Sequence, residues 1–172
     1  MPLYALGDRL PVIDSSAFVH PDAVIIGAVS IGPESSVWPS AVLRGDHGTI
    51  RVGARTSIQD GAVIHCSTKW DTEIGDDCTL GHLAHLEGCS IESGSLVGSG
   101  SVVLQHAAIG TGSVVAAGAV VSPGMVIPPG ALARGVPARI VEGAADPELI
   151  REAAQIYVRN THWYAADLRR LD

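Results

Sequence analysis

The chain has 172 residues with a formal charge of −7, and 47% of them are hydrophobic although only 4% are aromatic. That suffices for one domain whose core must come from Val, Ile, Leu and Ala. The cations are scattered, so there is no basic stripe to neutralise nucleic-acid phosphates or anionic lipid, and neither is expected as a partner.

The N-terminal "MPLYALGDRLP" has neither the basic start nor the long apolar stretch of a signal peptide, and no apolar run approaches the roughly 18 residues of a membrane span. Cys66, Cys78 and Cys89 are odd in number and form no CxxC pair. A reducing, cytoplasmic setting is the expectation.

Aliphatic-Gly pairs then punctuate the chain, from Ile26-Gly27 to Ile109-Gly110, and stepping by six from Ile91 gives Val97, Val103, Ile109, Val115, Val121 and Ile127. This hexapeptide spacing matches neither 3.6 nor 2 and predicts a parallel β-helix, each turn burying its inward residues against the next. Departures from six fall after triads: Ile31, Val37, Leu43; then Val52, Ile58, Ile64; then Ile74, Leu80, Leu86. If three hexads make one turn of a three-sided coil, the irregularities share one corner. Protruding loops are therefore expected around Arg44 to Arg51 and around Cys66 to Glu73.

After Ile127, "PPG" and "ARGVPARIV" break the ladder. Asp146 then reads as a helix N-cap with Pro147 in the first turn, followed by Leu149, Ile150, Ala153, Ala154, Ile156, Tyr157 and Trp163 at helical spacing. The expected organisation is a β-helix over 1–145 and a C-terminal helix over 146–172, packed on the coil or on a neighbouring subunit.

The residue after each inward aliphatic points outward. Arg44, His65 and Glu87 therefore form one outward column on the third side of successive turns, about 4.7 to 4.9 Å apart. His82 lies on the second side, as much as about 16 Å from Glu87 along the chain, and Asp60 stacks under it. Within one chain His65, His82 and Glu87 are not expected to share an ion; a threefold neighbour would resolve this if His82 of one subunit met His65 and Glu87 of the next. Asp60 would then orient the His82 ring. His85 lies beside the column as a candidate proton relay, Cys66 is read as incidental, and His20, His106 and His162 recur with no second ligand. His47 sits in the loop beside the groove.

The segments "SSVWPSAVLRGD" (35–46), "SIQDGAVIH" (57–65), "TLGHLAHLEGC" (79–89) and "GVPAR" (135–139) resemble the γ-class carbonic anhydrase family. That resemblance implies an all-β, left-handed parallel β-helix, a homotrimer, and zinc between subunits. It implies His65 and His82 as ligands from different subunits, Arg44 and Asp46 as an interface ion pair, and Gln59 and Asp60 as polar residues lining the site. Glu87 stands where the family has a third His. A His₂Glu set accepts zinc but also suits Fe(II), Co(II) or Mn(II), and its bound water should be less acidic than in a His₃ site. The implied activity is reversible hydration of CO₂ to bicarbonate, with Gln59 positioning water or substrate and His85 relaying the proton. Two alternatives accompany it: an acyltransferase or acyl-CoA thioesterase with His65 or His85 as general base, and a non-catalytic trimer with a degraded metal site.

Overall fold

The computed structural model describes residues 2–172. The inward aliphatics of the triads, from Ile31 to Leu86, and of the hexads from Ile91 to Ile127 are all buried, most of them completely. With no aromatic ring among them, they stack rung upon rung as near-isosteric branched side chains, which a pleated, half-buried surface favours. The result is a three-sided parallel coil. Its first face stacks Ile13, Ile31, Val52, Ile74, Ile91, Ile109 and Ile127 in register. The second stacks Val19, Val37, Ile58, Leu80, Val97, Val115 and Ala133. The third stacks Ile25, Leu43, Ile64, Leu86, Val103 and Val121.

The corner between the first and second faces is a column of left-handed residues: Glu34, Arg55 and Asp77 at φ 55, 52 and 55°, then Gly94, Gly112 and Gly130 at 66 to 68°. Arg55 holds the next rung of that column through Nε and Nη2 donating to the two Asp77 oxygens at 2.7 and 2.8 Å.

The expected loop over Arg44 to Arg51 is instead part of one eleven-residue strand, Val42–Val52, paired along Val24–Ile31. Only the register shift between Gly27 and Val29 absorbs the extra residues, as a bulge after Gly45. Backbone proximity explains why pairing continues to Gly45. A Cβ on Gly27, at φ 76°, would sit 2.4 Å from the Gly45 carbonyl oxygen, so only glycine allows the two strands to approach this closely. The second insertion does leave the coil, between strands Val63–His65 and Thr72–Ile74.

The two ends add strands beyond the hexads read from the sequence. Leu3–Tyr4 pairs parallel with Ile25–Ile26, and Leu132–Arg134 continues the second face before Arg139–Val141 returns along it antiparallel. The C-terminal helix runs Pro147–Asp167, with the Asp146 carboxylate accepting from the Glu148 and Leu149 amides. It lies on the second face. Tyr157 and Tyr164 pack edge-on against Trp38 at 5.7 and 4.9 Å, and the Trp38 indole donates to Ser36 and Ser57 hydroxyls, each at 3.0 Å. Ile150, Ala154 and Thr161 are buried, whereas Leu149, Ile156 and Trp163 are exposed, so the apolar residues of the helix divide between two stripes. No helix among the described residues is long and apolar enough to cross a membrane.

Candidate functional site

Strand register brings the sequence-derived candidates into two groups, as their hexad positions implied. On the third face Arg44, His65 and Glu87 are successive Cα partners, and His85 lies one rung above Val63 in the neighbouring outward column. The bulge folds Asp46 back over this column. Asp46 accepts from Arg44 and from the His47 amide, and its Oδ1 lies 2.8 Å from His65 Nε2. Burial opposes ionisation of Asp46, but hydrogen bonds and positive charge from His65 and Arg44 outweigh it and hold the carboxyl at about 2. On the other side of the ring, His65 Nδ1 is 3.6 Å from Glu87 Oε1, while His85 Nε2 is 3.7 Å from Glu87 Oε2. His47 meets the His65 ring edge-on at 6.3 Å.

Both nitrogens of His65 therefore face carboxylates, in a pocket that leaves its side chain 15% exposed. Such a ring has both nitrogens turned to protein carboxylates rather than to solvent.

The second group lies at the corner between the second and third faces. Gln59 is buried there, and the Nδ1 of His82 meets Asp60 at 2.9 Å with both side chains about half exposed. With Nδ1 beside the carboxylate, Nε2 is the ring nitrogen of His82 turned away from Asp60, an arrangement from which a general base can work. Tyr157 of the C-terminal helix stands over this corner; burial, reinforced by the Asp60 charge, raises its phenol pKa. The exposed Leu83 sits beside the pair.

Cys66 is buried and its sulfur accepts from the Gly48 amide at 3.2 Å, which ties it to the bulge. Cys89 is buried beneath the second insertion, and burial pushes its thiol up to about 12. His162 bonds Glu34 at 3.1 Å and holds the helix to the coil.

His106, which the sequence places in no column with a second ligand, stacks on Trp70 with centroids 5.7 Å apart. Neither residue of this pair could be found from hexad position, because Trp70 belongs to the insertion and lies 36 positions away.

No protein-family model matches the chain. The carnitine operon protein CaiE of Escherichia coli O157:H7 is 43% identical over 149 residues, covering 87% of this chain and 76% of that one. The chain belongs to the hexapeptide-repeat family of CaiE. Among solved structures, a hexapeptide transferase family protein from Anaplasma phagocytophilum superposes with a TM-score of 0.91 at 35% identity, covering 95% of this chain and 98% of that one. This places the coil among left-handed β-helices of the hexapeptide-transferase type. Perosamine N-acetyltransferase from Caulobacter crescentus, solved with CoA and GDP-perosamine, is 28% identical over 77% of this chain and 57% of its own, with a TM-score of 0.56.

These relatives overturn the carbonic anhydrase reading. They are hexapeptide-repeat transferases and CaiE proteins rather than CO₂-hydrating lyases, and the small molecules bound in the perosamine enzyme are CoA and a nucleotide sugar. Zinc, and with it Fe(II), Co(II) or Mn(II), is corrected on the geometry as well. No set of three or more His, Cys, Asp or Glu among the described residues is arranged to hold an ion, and the Nε2 of His65 is engaged by Asp46; within the chain His82 stands apart from His65 and Glu87, as its hexad position implied. The misreading has a physical origin. The motif segments specify the coil, the bulge and their polar columns, and hexapeptide-repeat proteins of different chemistry share that frame.

Proposed function

We propose that the chain is an acyltransferase that moves an acyl group from a coenzyme A thioester to an amine or hydroxyl acceptor, with Asp60 and His82 as its acid–base pair. The observation that carries this reading is the 2.9 Å contact orienting a half-exposed His82. The CoA-bound relative supports the donor class. In the reaction His82 Nε2 takes the proton of the acceptor as its nitrogen or oxygen attacks the thioester carbonyl. As the carbon–sulfur bond breaks, the proton passes to the departing CoA thiolate, and the histidine returns to its neutral form. Asp60 holds the tautomer and stabilises the transient imidazolium. His65, set between Asp46 and Glu87 on the third face, has a positioning role in this reading.

The same reading includes a homotrimer. The third face presents Val63 and neighbouring valines outward without a covering helix, and Leu83 is 70% exposed at its edge, an apolar strip suited to a second copy. It also places the protein in the cytoplasm, where Cys66, Cys78 and Cys89 remain free thiols.

The test is acetyl-CoA consumption by the wild type and by His82→Asn, Asp60→Asn and His65→Asn over a panel of amines and alcohols. Loss of roughly 10²-fold or more in kcat for His82→Asn, and a smaller loss for Asp60→Asn, is expected. A His82→Asn protein that turns over acetyl-CoA at the wild-type rate would remove the mechanism.

A further inference from the structure

We infer that the cleft beneath the second insertion, walled by Lys69, Trp70 and His106, is the seat of the adenosine and phosphate end of coenzyme A, an assignment that rests on the acyl-CoA reading above. The insertion is rigid where it matters. The Ser67 hydroxyl accepts from the Lys69 and Trp70 amides at 3.3 and 3.1 Å, and the Ser67 amide donates back to the Trp70 carbonyl at 2.9 Å. Trp70 is pressed against Gly88, where a Cβ would lie 3.1 Å from its own, and the His106 amide donates to the Gly88 carbonyl at 2.7 Å. Gly88 thus fixes both rings of a stack whose planes meet at 26°, with Trp70 38% exposed and the Lys69 ammonium 5.9 Å from the indole centroid.

The clefts on the two sides of this stack differ in charge. One, of about 370 Å³, includes Asp71 and Glu73, both engaged by Arg51 at 3.4 and 2.6 Å. The other, of about 570 Å³, runs past Ser67, Thr68 and Gln105 to Pro123, and Lys69 is the only Lys, Arg, Asp or Glu along it. A planar π surface, hydroxyl and amide groups, and one cation with no carboxylate to compete suit an aromatic base carrying phosphates.

Position supports the same occupant. Gly88 comes directly after Glu87, so the stack stands at one edge of the third face and His82 at the other. The six residue steps between Gly88 and His82 span at most about 20 Å, a distance for an extended pantetheine arm to bridge along the margin of the strip where a second copy would meet the third face. A nucleotide held at Trp70 would thereby deliver its thioester toward the Asp60–His82 pair.

The experiment is calorimetric titration of the full-length protein with CoA and with 4′-phosphopantetheine, which lacks the adenosine. Trp70→Leu is expected to weaken CoA roughly tenfold or more, with 4′-phosphopantetheine affinity unchanged, and Lys69→Gln to weaken CoA severalfold. Lys69→Gln leaves the ring stack in place and keeps the test decisive if Trp70→Leu loosens the insertion. CoA affinity within twofold of wild type in both variants, or no CoA binding by the wild type, would overturn the assignment. Trp70-dependent CoA binding without acyl transfer would leave this site standing and sink the acyltransferase reading, whereas His82-dependent transfer with Trp70-independent CoA affinity would do the reverse.

Discussion

Replacing Gly27 by Ala should cost far more stability than replacing Gly94 by Ala, although both glycines have positive φ, 76 and 66°. At Gly94 an added Cβ meets nothing within 4 Å. Only the left-handed backbone resists, at about 1–2 kcal/mol, and a stiffer unfolded chain returns part of that, leaving a net cost of about 1 kcal/mol. The equivalent corner positions Glu34, Arg55 and Asp77 already carry side chains at φ of 52 to 55°, which supports a small cost. At Gly27 the new atom would stand 2.4 Å from the Gly45 oxygen and 3.0 Å from its carbon, both backbone. The strands must separate, and losing two ladder hydrogen bonds at about 1 kcal/mol each brings the total to about 3 kcal/mol. Urea unfolding at fixed protein concentration, followed by far-UV circular dichroism, gives both values from midpoints at unchanged slope. Equal losses in the two variants, within about 0.5 kcal/mol, would refute the claim that backbone contact at Gly27 controls the bulge.

Two further outcomes are expected. Asp46 titrates at about 2 against an ordinary 3.8, so its contribution is complete above about pH 4 and is lost as pH falls through 2. With Arg44 half exposed this amounts to about 1 kcal/mol, and acid unfolding of Asp46→Asn should lack that component; identical acid profiles would contradict the pairing. Asp146→Ala removes the carboxylate that accepts from the Glu148 and Leu149 amides and should destabilise the helix by about 1 kcal/mol, read as faster proteolysis within 147–167. An unchanged cleavage rate would show that aromatic packing alone fixes the helix.

The coil was legible because one aliphatic of similar size recurs every six residues, and a rung of such residues has few other ways to bury itself. The outward column of Arg44, His65 and Glu87 followed from strand alternation alone, and their Cα partners in the structure are those the alternation implies. The contact of Asp46 with His65 could not be read this way. It depends on a bulge, and the bulge depends on the approach of Gly27 to Gly45, a relation between adjacent rungs that carries no periodic signal. The Trp70–His106 stack was hidden for a similar reason, since one ring comes from an insertion outside the repeat. The returning strand Arg139–Val141 was concealed by prolines, which mark a break in the ladder but carry no signal for a strand beyond it. Chemistry was the least legible layer: the placement of His65 beside Glu87 and of His82 beside Asp60 followed from hexad position, but the same polar columns serve proteins of different chemistry, and it is the relatives that separate them.

The returning strand also bears on how large such a molecule can grow. A parallel coil offers an unpaired backbone row at each end, onto which another copy could stack indefinitely into a fibre. Here the last rung doubles back, and the cross-strand pair Arg134 and Arg139 sets two exposed guanidinium groups opposite each other at that end. An incoming coil would have to bury like charges to extend the stack, so growth along the axis is discouraged while side-by-side association stays open.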